Sequence, residues 1–497
     1  MRRNLLFYVA VLAVFGAGIY FMLAVGARLQ PTGVAPERRT ESAPANSPGQ
    51  ERQPPEAEAA PRSRAGVPHE NLRNPLSVLL LQLIVILVAA RVFGALFNKA
   101  GQPAVIGEMV AGIILGPSLL GLLSPGAQAF LFPASSLDFL KLLSQIGVII
   151  FMFVVGMELN VRHLCEKAHA AVLVSHASIV VPFFLGVTFS LLIYPSMAPP
   201  RIPFSAFALF IGVAMSITAF PVLARIVEER GLSGTHLGST AIACAAVDDV
   251  SAWCVLAAVV AIVKADGLGG SLLTVFSSLL FVGAMLFLLR PLAERLMRAR
   301  ALDGNGGKGA AAAVLSFMFA SAFFTEAVGI HALFGAFLAG VVTPSHDGLR
   351  HFLRDRLETF SSAFLLPLFF AFTGLRTQIG LLNDWQGWAV SAGVVAVAVA
   401  GKLGGSALAG RWTGMSWRES FSVGALMNTR GLIELIVLNL GYDLGILSPR
   451  VFAMMVLMAL ITTFMTGPLL ALAEFRGRGR ELLPAEAGVA ALAFRER

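Results

Sequence analysis

From Pro75 to Ala473 the chain is a succession of apolar segments, each about 18–25 residues long and parted by short basic or polar turns. An α-helix needs about 20 such residues to cross the hydrocarbon of a bilayer. In lipid every backbone N–H and C=O must be satisfied within helices or a closed barrel, and these segments lack the short alternation of barrel strands. The balance of residues agrees: 57% are hydrophobic, 13% are charged and the mean hydropathy is +0.78. Soluble domains carry about a quarter charged residues, so this chain cannot clothe a water-facing surface. The expected fold class is an all-α polytopic membrane protein.

The formal net charge of +8 raises nucleic acid as a partner, but its distribution excludes it. No basic run is interleaved with aromatics. The positive residues fall in short clusters between apolar segments, and membrane lipid is the partner they imply. Cys165, Cys244 and Cys254 have no metal-ligand spacing and read as small apolar fillers. No cofactor is expected, and no resident metal beyond a transported cation.

Four regions are expected. Residues 1–27 form an N-terminal transmembrane anchor or signal peptide, and the length of the apolar run favours an anchor that is not cleaved. Residues 28–74, rich in Pro, Ala, Glu and Arg, read as a disordered linker. Residues 75–473 are the membrane domain and 474–497 a short cytoplasmic tail. Within the membrane domain, spans are expected near 76–97, 103–123, 139–159, 171–194, 204–227, 236–263, 271–290, 309–326, 328–344, 359–376, 386–409, 418–441 and 451–473, which makes about 13. Alternate loops carry roughly 20 Lys/Arg against about 5, which places the C-terminus inside a cell (inner) membrane. Ser47 then lies outside and Gly306 inside. An impermeant thiol reagent should label Ser47→Cys in intact cells and leave Gly306→Cys untouched, in a background without the three native cysteines.

An internal repeat is visible. Ala111-Gly112-Ile-Ile-Leu-Gly-Pro117 parallels Ala339-Gly340-Val-Val-Thr-Pro344, and Phe151-Met-Phe-Val-Val-Gly156 parallels Phe369-Phe-Ala-Phe-Thr-Gly374. The shared offset is seven helices. An odd offset turns the second set upside down, so two inverted six-helix repeats are expected.

The sharpest feature is Asp248-Asp249, two adjacent carboxylates in the middle of an apolar helix. A charge at the bilayer centre costs at least about 2.5–3.5 kcal/mol, so it marks a pathway or a partner. Neighbours on a helix point about 100° apart, so one can face a cavity while the other meets a counter-charge. Lys402 is the candidate counter-charge, with Gly401, Gly404 and Gly405 expected to clear space around it. Two segments read as broken, crossing helices. Ser216-Ile-Thr218-Ala-Phe-Pro221 sets a proline mid-span, and Asn428-Thr429-Arg430-Gly431 groups an amide, a hydroxyl, a cation and a glycine. Broken helices present a positive N-terminus and a negative C-terminus, which an aspartate and Arg430 respectively would satisfy. Glu434 lies one turn after Arg430 and pairs with it most simply. Glu108 is a candidate lining of the inner vestibule. Glu158 and Glu326 fall near helix ends, where a carboxylate needs no function.

Taken together these segments resemble the cation:proton antiporter superfamily, specifically its second family, with plant cation/proton exchangers and bacterial potassium-efflux antiporters. The resemblance runs over about residues 76–473 and rests on five motifs in order: Gly101 to Pro117, Phe220 to Arg225, Asp248 to Trp253, Leu366 to Arg376, and Met427 to Asn439. It implies a homodimer in which a mobile core carries Na⁺ or K⁺ one way and protons the other. It also implies that Asp249 binds cation and proton in turn, while Asp248 pairs with Lys402. Relatives often carry Asn or Gln at the first acidic position; both acids here favour electrogenic exchange.

The expected function is therefore secondary antiport of a monovalent cation against protons, serving pH and cation homeostasis, and not an enzyme. The alternatives are a cation channel or an ion-regulated potassium efflux system. A channel needs a filter or charged rings, and no filter-like repeat is present. An aspartyl protease needs carboxylates converging from two segments, whereas Asp248 and Asp249 diverge.

Overall fold

The computed structural model describes residues 2–31, 74–158, 168–232, 235–264, 276–277, 280–292, 295, 307–328, 331–344 and 347–481. The expected linker lies outside these residues, apart from its ends, and so do Cys165, Ser47, Gly306, most of the expected tail and the first part of the span at 271–290. The described residues are helical, with no strand among them. Among the described residues, eight helices are long and apolar enough to cross a membrane, or nine when one bent pair counts as a single span.

The helices are α1 (Arg2–Gly26), α2 (Pro75–Lys99), α3 (Ala104–Leu115), α4 (Ala134–Glu158), α5 (Ala168–Met197), α6 (Phe204–Ser216), α7 (Phe220–Glu229) and α8 (His236–Lys264). After these come α9 (Gly307–Ala327), α10 (Ala332–Val342) and α11 (Asp347–Phe360), the last running through a π-helical turn at Ser361–Leu365 into α12 (Leu366–Arg376). The C-terminal part contains α13 (Trp385–Val399), a further π-helical turn (Ala400–Gly404), α14 (Gly405–Trp412), α15 (Trp417–Met427), α16 (Leu432–Asp443) and α17 (Pro449–Glu481).

Both spans expected to be interrupted are broken. The stretch 204–227 divides into α6 and α7 around extended Ile217 and Ala219, because Pro221 falls in the first turn of α7 and has no N–H to carry a helix through. The stretch 418–441 divides into α15 and α16, bent by 44°. The span expected at 359–376 starts earlier: α11 is amphipathic and leads into it without a break.

Packing gathers the helices into two groups. In one, α5 lies against α6, α8 and α14, while α15 and α16 lie against α17. In the other, α3 is held between α2 and α12, and α4 packs against α10 and α12. Glycines set the close approaches in the second group. A Cβ on Gly112 would sit 2.1 Å from Ala371 O, and one on Gly374 would sit 2.8 Å from the Gly112 carbonyl carbon. A Cβ on Gly340 would sit 2.1 Å from Phe153 O, and one on Gly156 would sit 3.1 Å from Gly340 Cα. Backbone cannot yield as a flexible side chain does. Gly112→Val and Gly340→Val should each lower the thermal midpoint in detergent by an amount matching at least about 1–3 kcal/mol, the cost of overpacking. Gly283→Ala, with open space at that position, should leave it unchanged.

Candidate ion site at two helix breaks

The two breaks meet. Ala219 N donates to Thr429 O at 3.0 Å, and Thr218 Oγ1 donates to Met427 O at 3.0 Å. A broken helix inside a protein leaves carbonyls and N–H groups that need partners. Arg430 supplies them for α6: its Nη1 donates to Ala214 O and its Nη2 to Met215 O, both at 2.7 Å. The guanidinium therefore sits where the last-turn carbonyls of a half-helix concentrate negative potential. Arg430 is 1% exposed, and Glu434 Oε1 lies 3.5 Å from its Nη1. Among the described residues, neither Glu434 oxygen has a hydrogen-bond partner, nor has Arg430 Nε.

The second break is tied to α17 by a ladder of threonines. Arg430 N donates to Thr463 Oγ1 at 3.0 Å, and Asn428 Nδ2 donates to Thr462 O at 3.3 Å. Thr429 Oγ1 donates to Thr466 Oγ1 at 3.3 Å. Ser216 binds back to Val213 O at 2.8 Å, within its own helix. Gly431 leaves room for the first broken segment, since a Cβ there would meet Val222 Cγ2 at 2.9 Å and Ala219 Cβ at 3.1 Å.

Asp248 and Asp249 project from α8 into different surroundings. Asp248 is fully buried, and Lys402 Nζ lies 2.8 Å from its Oδ2. Its Oδ1 accepts from Ser178 Oγ at 3.0 Å and more weakly from Ser175 Oγ at 3.5 Å, both on α5. Lys402 also donates to Thr218 Oγ1 at 2.6 Å and to Ser178 Oγ at 3.3 Å. A lysine ammonium has three donors, and all three are engaged. The network runs consistently: Thr218 accepts from Lys402 and donates to Met427 O, and Ser178 accepts from Lys402 and donates to Asp248.

Asp249 is 4% exposed and stands apart from that network. The backbone N–H of Phe220, at the start of α7, interacts with its carboxylate. Its Oδ1 has no hydrogen-bond partner among the described residues. One buried carboxylate is saturated, while its neighbour keeps an oxygen in reserve beside a half-helix N-terminus. Trp253, one turn along α8, walls this region and packs edge-to-face on Phe334 of α10 at 5.2 Å.

Lys402 is carried on the π-helical turn Ala400–Gly404, a local widening that recurs at functional positions. Of the three glycines expected to clear space, two do. A Cβ on Gly401 would meet Pro182 Cα at 2.7 Å, and one on Gly405 would meet Val181 Cβ at 3.0 Å. Gly404 faces open space and clears nothing.

Glu108 lies elsewhere. It is buried between α2 and α3, with its Cγ 3.7 Å from a Cβ placed on Gly94, and the charges acting on it are Arg91 and Arg225. Glu326 caps the first turn of α10, accepting from Ala332 N at 2.8 Å. Cys244 is buried, as a filler would be, whereas Cys254 is exposed.

Sequence reasoning missed Ser175, Ser178 and the threonines of α17. It also missed a cluster at the far end of α16. There Arg376 donates to Asn439 Oδ1 at 2.8 Å and to Asp443 Oδ1 at 2.5 Å, and Lys141 lies 3.1 Å from Asp443 Oδ2. The Arg376 guanidinium also lies over the Tyr442 ring at 4.4 Å. This cluster joins α4, α12 and α16 across the two packing groups.

Buried carboxylates beside the ends of two interrupted helices, in a bundle of membrane-spanning length, define an ion-transporting membrane protein. The family model described as "Sodium/hydrogen exchanger, transmembrane" matches residues 84–473, and the chain belongs to that family. It is 46% identical over 397 residues to Na(+)/H(+) antiporter NhaS4 of Synechocystis, a match covering 80% of this chain and 97% of that protein. It is 34% identical to K(+)/H(+) antiporter 1 of Saccharomyces cerevisiae, over 81% of this chain and 47% of that one, so it spans about half the yeast protein. The sodium proton antiporter MjNhaP1 of Methanocaldococcus jannaschii shares the fold, with a TM-score of 0.57 at 14% identity over 81% of this chain and 98% of that structure.

Proposed function

We propose that the protein exchanges Na⁺ or K⁺ for protons across the membrane, with Asp249 as the group that holds cation and proton in turn. The observation that carries this reading is the unpartnered Asp249 oxygen beside a fully engaged Asp248–Lys402 pair. A carboxylate that is buried, uncommitted and next to helix-end dipoles is built to be neutralised by whichever cation arrives. Cation entry draws Asp248 toward the ion and weakens its hold on Lys402, which then gives up a proton. With the proton that Asp249 gives up as the cation takes its place, two protons leave for each cation bound, and net charge moves. The ladder of Thr462, Thr463 and Thr466 fixes the Asn428–Gly431 segment, so that its amide, hydroxyl and carbonyl groups present oxygens at a constant place. Proton flux driven by an imposed Na⁺ or K⁺ gradient, present in the native protein and absent in Asp249→Asn, tests the assignment.

The finer architecture belongs to the same reading. Among the described residues, the eight long spans, the bent pair taken as a ninth, and the shorter apolar helices Phe204–Ser216, Leu280–Leu292, Ala311–Ala327 and Ala332–Val342 would together supply thirteen crossings. The glycine contacts support the inverted repeat. The repeat equates Gly112 with Gly340 and Gly156 with Gly374, and the close approaches are Gly112 to Gly374 and Gly340 to Gly156. Such an exchange of partners is what a two-fold relation between the halves would produce. A homodimer, an inner-membrane location and a cytoplasmic C-terminus complete the proposal. For the dimer, α2 is the least buried of the long spans and shows Leu80, Ile84, Val88, Val92 and Leu96 on one exposed face.

A further inference from the structure

The helix α1 takes no part in the site and lies outside the residues that the family model matches. It is nonetheless shaped to fit the transport body. Phe15, Gly18, Ile19, Met22, Leu23 and Gly26 recur every three or four residues and form one stripe. The Phe15 ring meets Phe184 of α5 edge-to-face at 5.2 Å. A Cβ on Gly18 would lie 2.7 Å from Phe184 Cε2, and one on Gly26 would lie 2.0 Å from Phe204 Cε1. Each glycine is thus a socket for an aromatic ring on α5 or α6. Ile19, Met22 and Leu23 pack against the main apolar core. The reverse face, with Val14 at 68%, Tyr20 at 76% and Phe21 at 61% exposure, is left apolar for lipid.

A segment that serves only to start membrane insertion needs apolarity alone. Small residues aligned as sockets are the device by which membrane helices associate, because lipid offers no hydrophobic drive between them. The chain between Gly26 and Pro75, about 48 residues, spans well over 100 Å when extended, so tether length does not dictate where α1 rests. The sockets do. Its partner helix α5 holds Ser175 and Ser178 on Asp248, and its Pro182 abuts Gly401 beside Lys402.

We propose that α1 is retained as an accessory helix that docks in cis on α5 and α6, a built-in partner that steadies the helix buttressing the Asp248–Lys402 pair. The test uses the full chain with an N-terminal epitope, a protease site at Ser47, and Cys165, Cys244 and Cys254 replaced. After cleavage in the membrane and solubilisation, the α1 fragment should co-purify with the body. Phe15→Cys with Phe184→Cys should be joined within one chain by a short homobifunctional methanethiosulfonate, restoring full-length mobility to the cleaved protein until the disulfides are reduced. Gly18→Leu with Gly26→Leu should cut co-purification at least tenfold and lower the thermal midpoint of the body. Absence of the epitope from the mature protein, separation of the native fragment on cleavage, or disulfides joining two chains would each overturn the proposal. None of these readouts depends on whether the body exchanges cations for protons.

Discussion

Asp249→Asn should reduce cation-driven proton flux by at least about a hundredfold, the scale of losing a group that carries the proton itself. The amide neither titrates nor balances a cation, yet it matches the carboxylate in shape and still offers an oxygen to the Phe220 N–H. Among the described residues, nothing leans on its Oδ1, which has no hydrogen-bond partner there. The variant should therefore fold and keep a thermal midpoint within a few degrees of the native one, a shift of roughly 1 kcal/mol or less. Melting is measured on the detergent-purified protein, and flux on the same preparation after its incorporation into liposomes. Substantial cation-driven flux in this variant would remove Asp249 from the centre of the account.

Lys402→Gln should have two effects of different kinds. The first is on stability. Removing the partner of a fully buried carboxylate strands a charge, a loss of about 3–5 kcal/mol. Changing both members, Asp248→Asn with Lys402→Gln, should recover most of it, because hydrogen bonds between neutral groups can then replace the ion pair. The second effect is on charge movement. If Lys402 releases the second proton, the single variant is either inactive or exchanges one proton for one cation and ignores voltage. Moving one elementary charge is worth about 2.3 kcal/mol per 100 mV, so a potassium–valinomycin potential, with Na⁺ as the transported cation, separates the two modes. Native exchange indifferent to that potential would end this role for Lys402 while leaving antiport itself in place.

The residues readable in the sequence are those that break a local rule. Asp248, Asp249 and Lys402 are charges in lipid-length segments, and Pro221 and Asn428 to Gly431 interrupt helices, so each stands out without knowledge of its neighbours. Ser175 and Ser178 do not stand out. In apolar helices most hydroxyls bind back to their own chain, as Thr188 does to Phe184 O and Ser190 to Gly186 O. Only the packing of α5 on α8 turns two such serines toward Asp248. The π-helical turn under Lys402 has no local signature, and Arg376, Asn439 and Asp443 come together across 63 and 67 residues of chain. Glu108 stands out locally in the same way, as a buried acid in an apolar helix, and the charges beside it are those of Arg91 and Arg225.

The most direct test of the central claim is exchange in liposomes containing the purified protein. A pH-sensitive dye is quenched by an imposed proton gradient, and Na⁺, K⁺ and Li⁺ are added in turn to the outside. The account predicts saturable recovery of fluorescence with Na⁺ or K⁺, lost in Asp249→Asn at equal protein incorporation. Folded, incorporated protein that moves no protons with any of the three cations would contradict it, as would cation flux that leaves the proton gradient untouched.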